Sequence, residues 1–403
     1  MPALNRVGAW VACATMCVAG ARAQELTESQ IVELILRDGA QARAIRSNAD
    51  VMQREQAARA VLANPSIAYV REGAGFTEFL QVEQFLPIFG SRAAVIRAGA
   101  AATRAAEAER DGRLSQLRAD ARAFVARVMA GQEKLDASNE TVREVERIIA
   151  LLRIREQEGE GSRFDRVRAE QELADARQVS LDAAASAVEA RSSIAAVVGD
   201  GTRVTRIAGP TYMERAIPSV EALTARALTA RGELRALVAA SERFVLEADG
   251  ARRARLPAPT LSGGLKRADN GVGREQGGVI GFSVTVPLFD SGRRDAARWL
   301  AERDRAEAER ALMTQTVRAQ VAAAVEVLTL RQDAIRAANS ATPADELAEI
   351  AEISYTEGEA GILELLDAYR TAARARVRAI DMRLAARLAQ IALERAVGDT
   401  IWP

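Results

Sequence analysis

Histidine is missing from the chain, and its only cysteines, Cys13 and Cys17, sit close together near the N-terminus. Beyond that point there is no thiol or imidazole to act as nucleophile, general base or soft metal ligand, so disulfides, His- or Cys-based catalysis and most transition-metal sites are excluded. Only Lys134 and Lys266 are lysines, and the arginines that supply nearly all the positive charge are balanced by acids to a formal net charge of zero. A nucleic-acid binder needs a basic excess, so no nucleic-acid partner is expected. After the N-terminal segment no apolar run approaches ~18 residues, which leaves no transmembrane helix; if the chain enters a membrane it must do so as a barrel. No phosphate-cradling glycine motif occurs. Neither an enzyme nor a cofactor site is expected.

Proline and glycine are also scarce where it matters. No proline occurs between Pro87 and Pro210, and no glycine between Gly292 and Gly358. Residues 91–156, rich in Ala, Arg, Glu and Leu, read as one helix of roughly 100 Å at ~1.5 Å per residue. Such a rod belongs to a coiled coil or an extended bundle rather than to a compact domain. Gly112 and Gly131 weaken it without ending it. The N-terminal segment reads as a secretory signal, with Arg6, an apolar stretch, and Ala21-Arg22-Ala23 as the cleavage site before Gln24.

What the chain does contain is written twice. Glu158-Gly159-Glu160-Gly161-Ser162-Arg163-Phe164-Asp165 is matched by Glu357-Gly358-Glu359-Ala360-Gly361-Ile362-Leu363-Glu364, 199 positions on, and Val198-Gly199-Asp200 by Val397-Gly398-Asp399. A repeat of this length sets the architecture before any local assignment. The expected division is a signal at 1–23, a first repeat at 24–205, a linker at 206–218 and a second repeat at 219–403. Each repeat reads as helix, β-hairpin, proline turn, very long helix, glycine turn and long helix. The first helix is expected to run to about Leu62 with a Thr27/Gln30 capping box, and its counterpart over 219–255. The strands fall at 66–72, 79–86, 260–267 and 278–288, and the long helical hairpins at about 91–199 and 291–397, with a break at Pro343. In the fourth strand Ile280, Phe282, Val284, Val286 and Leu288 share one face and Gly281, Ser283 and Thr285 the other. That alternation suits a barrel strand and equally any half-buried strand.

The glycines Gly159, Gly161, Gly358 and Gly361 read first as helix breakers that permit φ > 0. Ser162 and Asp165 have the spacing of an N-cap and its partner. Glu364 and Asp367 share a helix face near a helix N-terminus, where carboxylates suit the dipole.

This order of elements behind a secretory signal resembles the TolC-type outer-membrane efflux proteins. The motifs that carry the resemblance are Gly159…Asp165…Ala169, Tyr355…Gly358…Glu364…Leu366-Asp367-Ala368 and Val284-Thr285-Val286-Pro287-Leu288-Phe289-Asp290-Ser291-Gly292-Arg293. It implies a mainly α fold with a small β part: a homotrimer with a twelve-stranded barrel in outer-membrane lipid and a periplasmic α-helical tunnel. It also implies a passive exit duct whose tips, Gly159, Gly161, Ser162, Gly358 and Gly361, contact a periplasmic adaptor joined to an inner-membrane pump. Glu364 and Asp367 would form the tunnel constriction, with Asp165 and Tyr355 in gating positions. Ala360 stands where well-known members have a gating arginine, so their charged lock is not available here. The first proline turn, Phe85-Leu86-Pro87-Ile88-Phe89-Gly90-Ser91-Arg92, looks more like the heavy-metal efflux branch, which implies metal ions as cargo. Alternative readings are a periplasmic adaptor, which carries one helical hairpin rather than two, and a soluble coiled-coil scaffold, which has no use for four strands and an export signal.

Overall fold

The computed structural model describes residues 24–73, 76–198, 204–253, 255–269, 271–289 and 291–402. The expected signal at 1–23, residues 74 and 75 of the first hairpin turn, Gly199-Asp200 and Asp290 lie outside the described residues.

The element order runs twice. Strand β1 (Gln24–Thr27) and helices α1 (Glu28–Asp38) and α2 (Ala40–Arg59) lead into strands β2 (Ser66–Glu72) and β3 (Thr77–Phe85). Helices α3 (Ser91–Glu158) and α4 (Arg163–Val198) complete the first half. Strand β4 (Val204–Ala208) and helices α5 (Val220–Ala230) and α6 (Gly232–Arg253) then lead into strands β5 (Ala258–Asp269) and β6 (Arg274–Thr285). Helices α7 (Arg293–Asn339), α8 (Ala344–Thr356) and α9 (Ile362–Val397) close the second half.

The opening helix of each half differs from expectation in being two helices. The capping box forms as its spacing suggests, the Thr27 hydroxyl accepting from the Gln30 amide and the Gln30 carboxamide oxygen from the Thr27 amide. At Gly39, however, the backbone turns extended. The break lets α1 lay Ile31, Val32 and Ile35 against Leu117, Val125 and Met129 of α3, contacts that a straight helix would forfeit. In the second half Arg231 is the extended residue. There α5 buries Leu223 and Ala227 against Val317, Val321 and Leu328 of α7. Gly232, first residue of α6, lies on the α3 backbone, where a Cβ would fall 2.3 Å from the Ala108 carbonyl oxygen. Gly112 of α3, a local weak point by sequence, is thus a crossing point of two helices. The expected linker at 206–218 begins inside β4, which pairs in parallel with β1.

The rod α3 is 68 residues long and packs on α2, α4, α6 and α9. Its buried residues near the sheet are mostly alanines: Ala94, Ala98, Ala101 and Ala102. Small side chains let helix axes approach closely, so the wall is held by packing density rather than by large aromatic payloads. Larger apolar clusters occur at mid-height and toward the far end, where Val145, Ile148, Ile149 and Leu152 of α3 meet Leu365, Leu366 and Tyr369 of α9.

The four hairpin strands make one antiparallel sheet in the order β2-β3-β5-β6. β3, β5 and β6 begin earlier than expected, and β6 ends at Thr285 rather than at 288. The bonded stretches are longer because pairing across the sheet recruits polar flanks that lack a local strand pattern.

Candidate functional site

The sheet register sorts side chains that no single strand sorts. Ile67 pairs with Val82, Val82 with Gly263, and Gly263 with Ile280. Two residues along, Tyr69, Leu80, Leu265 and Gly278 form the next rank, and Gln84, Leu261 and Phe282 another. Paired residues share a face, so one face carries Ile67, Tyr69, Leu80, Val82, Leu261, Leu265, Ile280, Phe282 and Val284, all of them exposed. Ile280 is 86% exposed and Phe282 69%. The opposite face is mixed but more polar: Gln81, Glu83, Thr260, Ser262, Lys266, Gly281, Ser283 and Thr285 stand there with Val70, Phe79, Phe85 and Val279 among them. Beyond the apolar ranks the same outer face turns charged, with Arg71 near Glu78 and Arg274 on Asp269. An exposed apolar band on one face, ending in a charged rim, and a more polar opposite face suit the wall of a membrane barrel. Among the described residues β2 and β6 are hydrogen-bonded on one side only.

At the far end of the rods lie two turns, the α3–α4 turn and the α8–α9 turn. They close by one hydrogen-bond pattern, 199 residues apart. The Glu160 and Gly161 amides both donate to the Arg155 carbonyl, at 2.9 Å each, and the Glu359 and Ala360 amides to the Ser354 carbonyl, at 2.8 and 3.1 Å. Only the first glycine of each turn is left-handed: Gly159 at φ 81° and Gly358 at φ 79°. Gly161 and Gly361 do not need positive φ, contrary to the reading of all four as φ > 0 positions; Gly161 is held to glycine by backbone crowding, whereas at Gly361 only a movable side-chain end is near. A Cβ on Gly161 would meet the Glu156 amide nitrogen at 2.9 Å, and one on Gly361 the Glu364 carboxylate at 3.1 Å.

The sequence-derived site residues take distinct places here. The Ser162 hydroxyl accepts from the Phe164 amide at 3.1 Å. The Glu364 carboxylate accepts from the Gly361 amide and closes the first turn of α9. Glu364 and Asp367 are both exposed, on the side of α9 opposite the buried Leu365, Leu366 and Tyr369. Phe164 and Leu363, also 199 apart, stand 65% and 56% exposed at the start of α4 and α9.

Tyr355 is buried, and burial together with the charge of Asp165 raises its phenol above the ordinary range. Asp165 and Tyr355, from different hairpins, thus lie near enough for the carboxylate charge to act on the phenol, and no hydrogen bond joins them. Ala360 provides no cation. Arg155 does: its guanidinium donates to the Tyr355 carbonyl at 3.0 Å and lies 5.2 Å from the centroid of the Tyr355 ring. The contact joins α3 to α8 across the two hairpins. Sequence reasoning missed it, because Arg155 precedes its partner by 200 residues and lies outside every repeated motif. Further ties bind the same end: Arg370 of α9 to Glu172 of α4, and Arg376 of α9 to both Glu144 of α3 and Asp345 of α8. The hydroxyl of Tyr369 donates to Glu352 at 2.5 Å, and burial with that acceptor raises its phenol.

Comparison with known proteins places this geometry. A profile of the family described as "Outer membrane efflux protein" matches residues 74–200 and 223–399. Among solved structures, the open state of the MtrE outer membrane channel from Neisseria gonorrhoeae superposes with a TM-score of 0.75 at 17% identity, covering 95% of this chain and 94% of that one. A CusC structure described for folding and transmembrane channel formation gives 0.74 at 16% identity, with 93% and 92% covered. The outer membrane protein VceC from Vibrio cholerae gives 0.73 at 18%, with 93% and 97% covered. The search of curated proteins returned no match. At these identities the structural likeness is one of fold.

Proposed function

The chain belongs to the outer membrane efflux protein family, whose profile spans well over half of it, and from that premise we propose that it is the exit duct of a tripartite pump. As an efflux channel of the outer membrane, it places its sheet in the lipid and its helices in the periplasm. In the proposed assembly three copies close one barrel and one tunnel. The observation that carries this is the sheet: it has an apolar outer face, and β2 and β6 are each paired on one side only. Lipid does not tolerate open strand edges, and four strands are too few to enclose a lumen. Three copies joined β6 to β2 give twelve strands and no edge. The single membrane sheet shared by two equivalent helical hairpins also speaks against the adaptor reading.

Conduction through such a duct is passive; a periplasmic adaptor and an inner-membrane pump supply direction. The tips at Gly159–Ser162 and Gly358–Gly361 are the proposed adaptor contact, with Phe164 and Leu363 as exposed apolar knobs beside them. Glu364 and Asp367 form the proposed constriction, as rings of three carboxylates each. The Arg155–Tyr355 contact is the proposed lock, taking over from the arginine that Ala360 replaces. Metal ions are the proposed cargo class, on the resemblance of the first proline turn.

Inserting bulky charged residues at Gly161 or at Gly361 tests the duct. Membrane insertion and oligomer formation should persist while export stops. Normal export from both insertions would refute tip docking.

A further inference from the structure

A large cavity lies far from both the sheet and the tips, at mid-height, where β1, α1, α3, α9, the segment after β4 and the C-terminus meet. It has a volume of about 890 Å³, within the range of small-molecule sites. One wall is apolar, made by Val32, Leu36, Met129, Met213 and Trp402. The polar lining is one-sided in charge: six arginines face two glutamates, Glu28 and Glu33.

The pairing of those charges decides what remains free. Glu28 accepts from Arg122 at 2.9 Å and from Arg387 at 2.6 Å, and Arg122 also pairs with the buried Glu394. That group of four is neutral as a unit. Arg37 pairs with Asp38, and Arg46 donates to the carbonyls of Leu36 and Arg37 at the end of α1. Arg215 is exposed to water and Arg118 is half-buried, and among the described residues neither guanidinium has a hydrogen-bond or ion-pair partner; the charge of Arg118 also acts on Asp399, which is already hydrogen-bonded to Arg226. Withdrawing a guanidinium from water without an acceptor is costly. An arginine held this way beside an apolar chamber is poised for an anion that brings its own hydrocarbon.

We propose that this mid-height cavity is a binding site for an organic anion with an apolar body, a carboxylate amphiphile whose head group pairs with Arg118 and whose chain lies along Met129, Met213 and Trp402. An anion from the lipid and a soluble anion among the exported substances share this chemistry. Both would bind outside the proposed constriction at Glu364 and Asp367.

Trp402 is a built-in reporter. Besides it the sequence has only Trp299, near the sheet, and Trp10, inside the segment expected to be cleaved. The full mature protein carrying Trp299→Phe is titrated in detergent with octanoate and, separately, with octan-1-ol, following Trp402 emission. The site requires a saturable response to octanoate that is at least tenfold weaker for the alcohol. It also requires at least tenfold weakening in Arg118→Ala, with oligomer size and helical signal unchanged. Arg118→Glu repeats the test with the charge reversed. No saturable response, an equal response to the alcohol, or undiminished binding in both variants overturns the proposal. Mass spectrometry of organic extracts separates the sources. A fatty acid carried by the unaltered protein and lost in Arg118→Glu marks a lipid source, and octanoate binding with an empty extract marks a soluble anion. An empty extract without octanoate binding overturns the site.

Discussion

Replacing Arg155 with alanine removes two contacts at once, the hydrogen bond to the Tyr355 carbonyl and the guanidinium over the Tyr355 ring. A hydrogen bond from a charged donor contributes about 1.5–3 kcal/mol, and an exposed cation–π contact ~0.5–1 kcal/mol. Arg155 is only half-buried, so water competes for it and the lower ends apply, giving a tie of roughly 2 kcal/mol or less. One to two kcal/mol shifts a two-state balance by about 5–30-fold. Purified channels in planar bilayers should therefore spend 5–30 times longer, relative to the closed level, in conducting states when Arg155→Ala is introduced. Tyr355→Phe is the discriminating control. It keeps both the carbonyl and a ring, so the tie survives and conduction should stay near that of the unaltered protein. Equal conduction in Arg155→Ala and the unaltered protein, or an effect of Tyr355→Phe as large as that of Arg155→Ala, would refute the reasoning.

Four further outcomes are expected. The Glu364→Ala/Asp367→Ala double variant should lose cation preference and block by multivalent cations in bilayer recordings, because like charges in a three-fold ring attract cations. The Glu364→Gln variant, which keeps an acceptor for the Gly361 amide, should lose charge effects without loosening the turn. Gly232→Ala should lower the unfolding temperature by an amount corresponding to roughly 1–3 kcal/mol, since its Cβ would meet a rigid α3 carbonyl rather than a movable side chain. Acid should weaken the seam between α5 and the C-terminus. The hydrogen bond from Arg226 holds the Asp399 carboxyl below its ordinary range, so its contribution is present at neutral pH and lost as pH falls below about 4 through the folded-state value. For this half-exposed pair that is ~1 kcal/mol at most, and thermal melts between pH 7 and 3 should fall less steeply for Asp399→Asn.

Much of this fold could be read from residues. The absence of proline from the first rod and of glycine from the second marked them as rods, and two copies of a glycine turn marked where they reverse; α9 starts and stops at Ile362 and Val397 as expected. What could not be read depends on partners distant in sequence. Strands β1 and β4 are four and five residues long and have no pattern of their own; each exists because the other lies alongside. The breaks at Gly39 and Arg231 interrupt good helical sequence, because packing on α3 and α7 outweighs local propensity. The outer face of the sheet was legible in β6 alone, whereas Tyr69, Leu80 and Leu265 join it only through the register. At the tips, repetition singled out Gly159 and Gly358 but not Arg155, whose significance lies in an unrepeated contact.

The central claim is that three copies close one passive pore, and the most direct measurement combines stoichiometry with conduction on a single preparation. Native mass spectrometry of the protein extracted from outer membranes should give three chains. The same material in a planar bilayer should carry a steady ionic current without any nucleotide. Channel activity from a single-chain species, or a three-chain complex that never conducts even with Arg155→Ala and Glu364→Ala/Asp367→Ala combined, would contradict it.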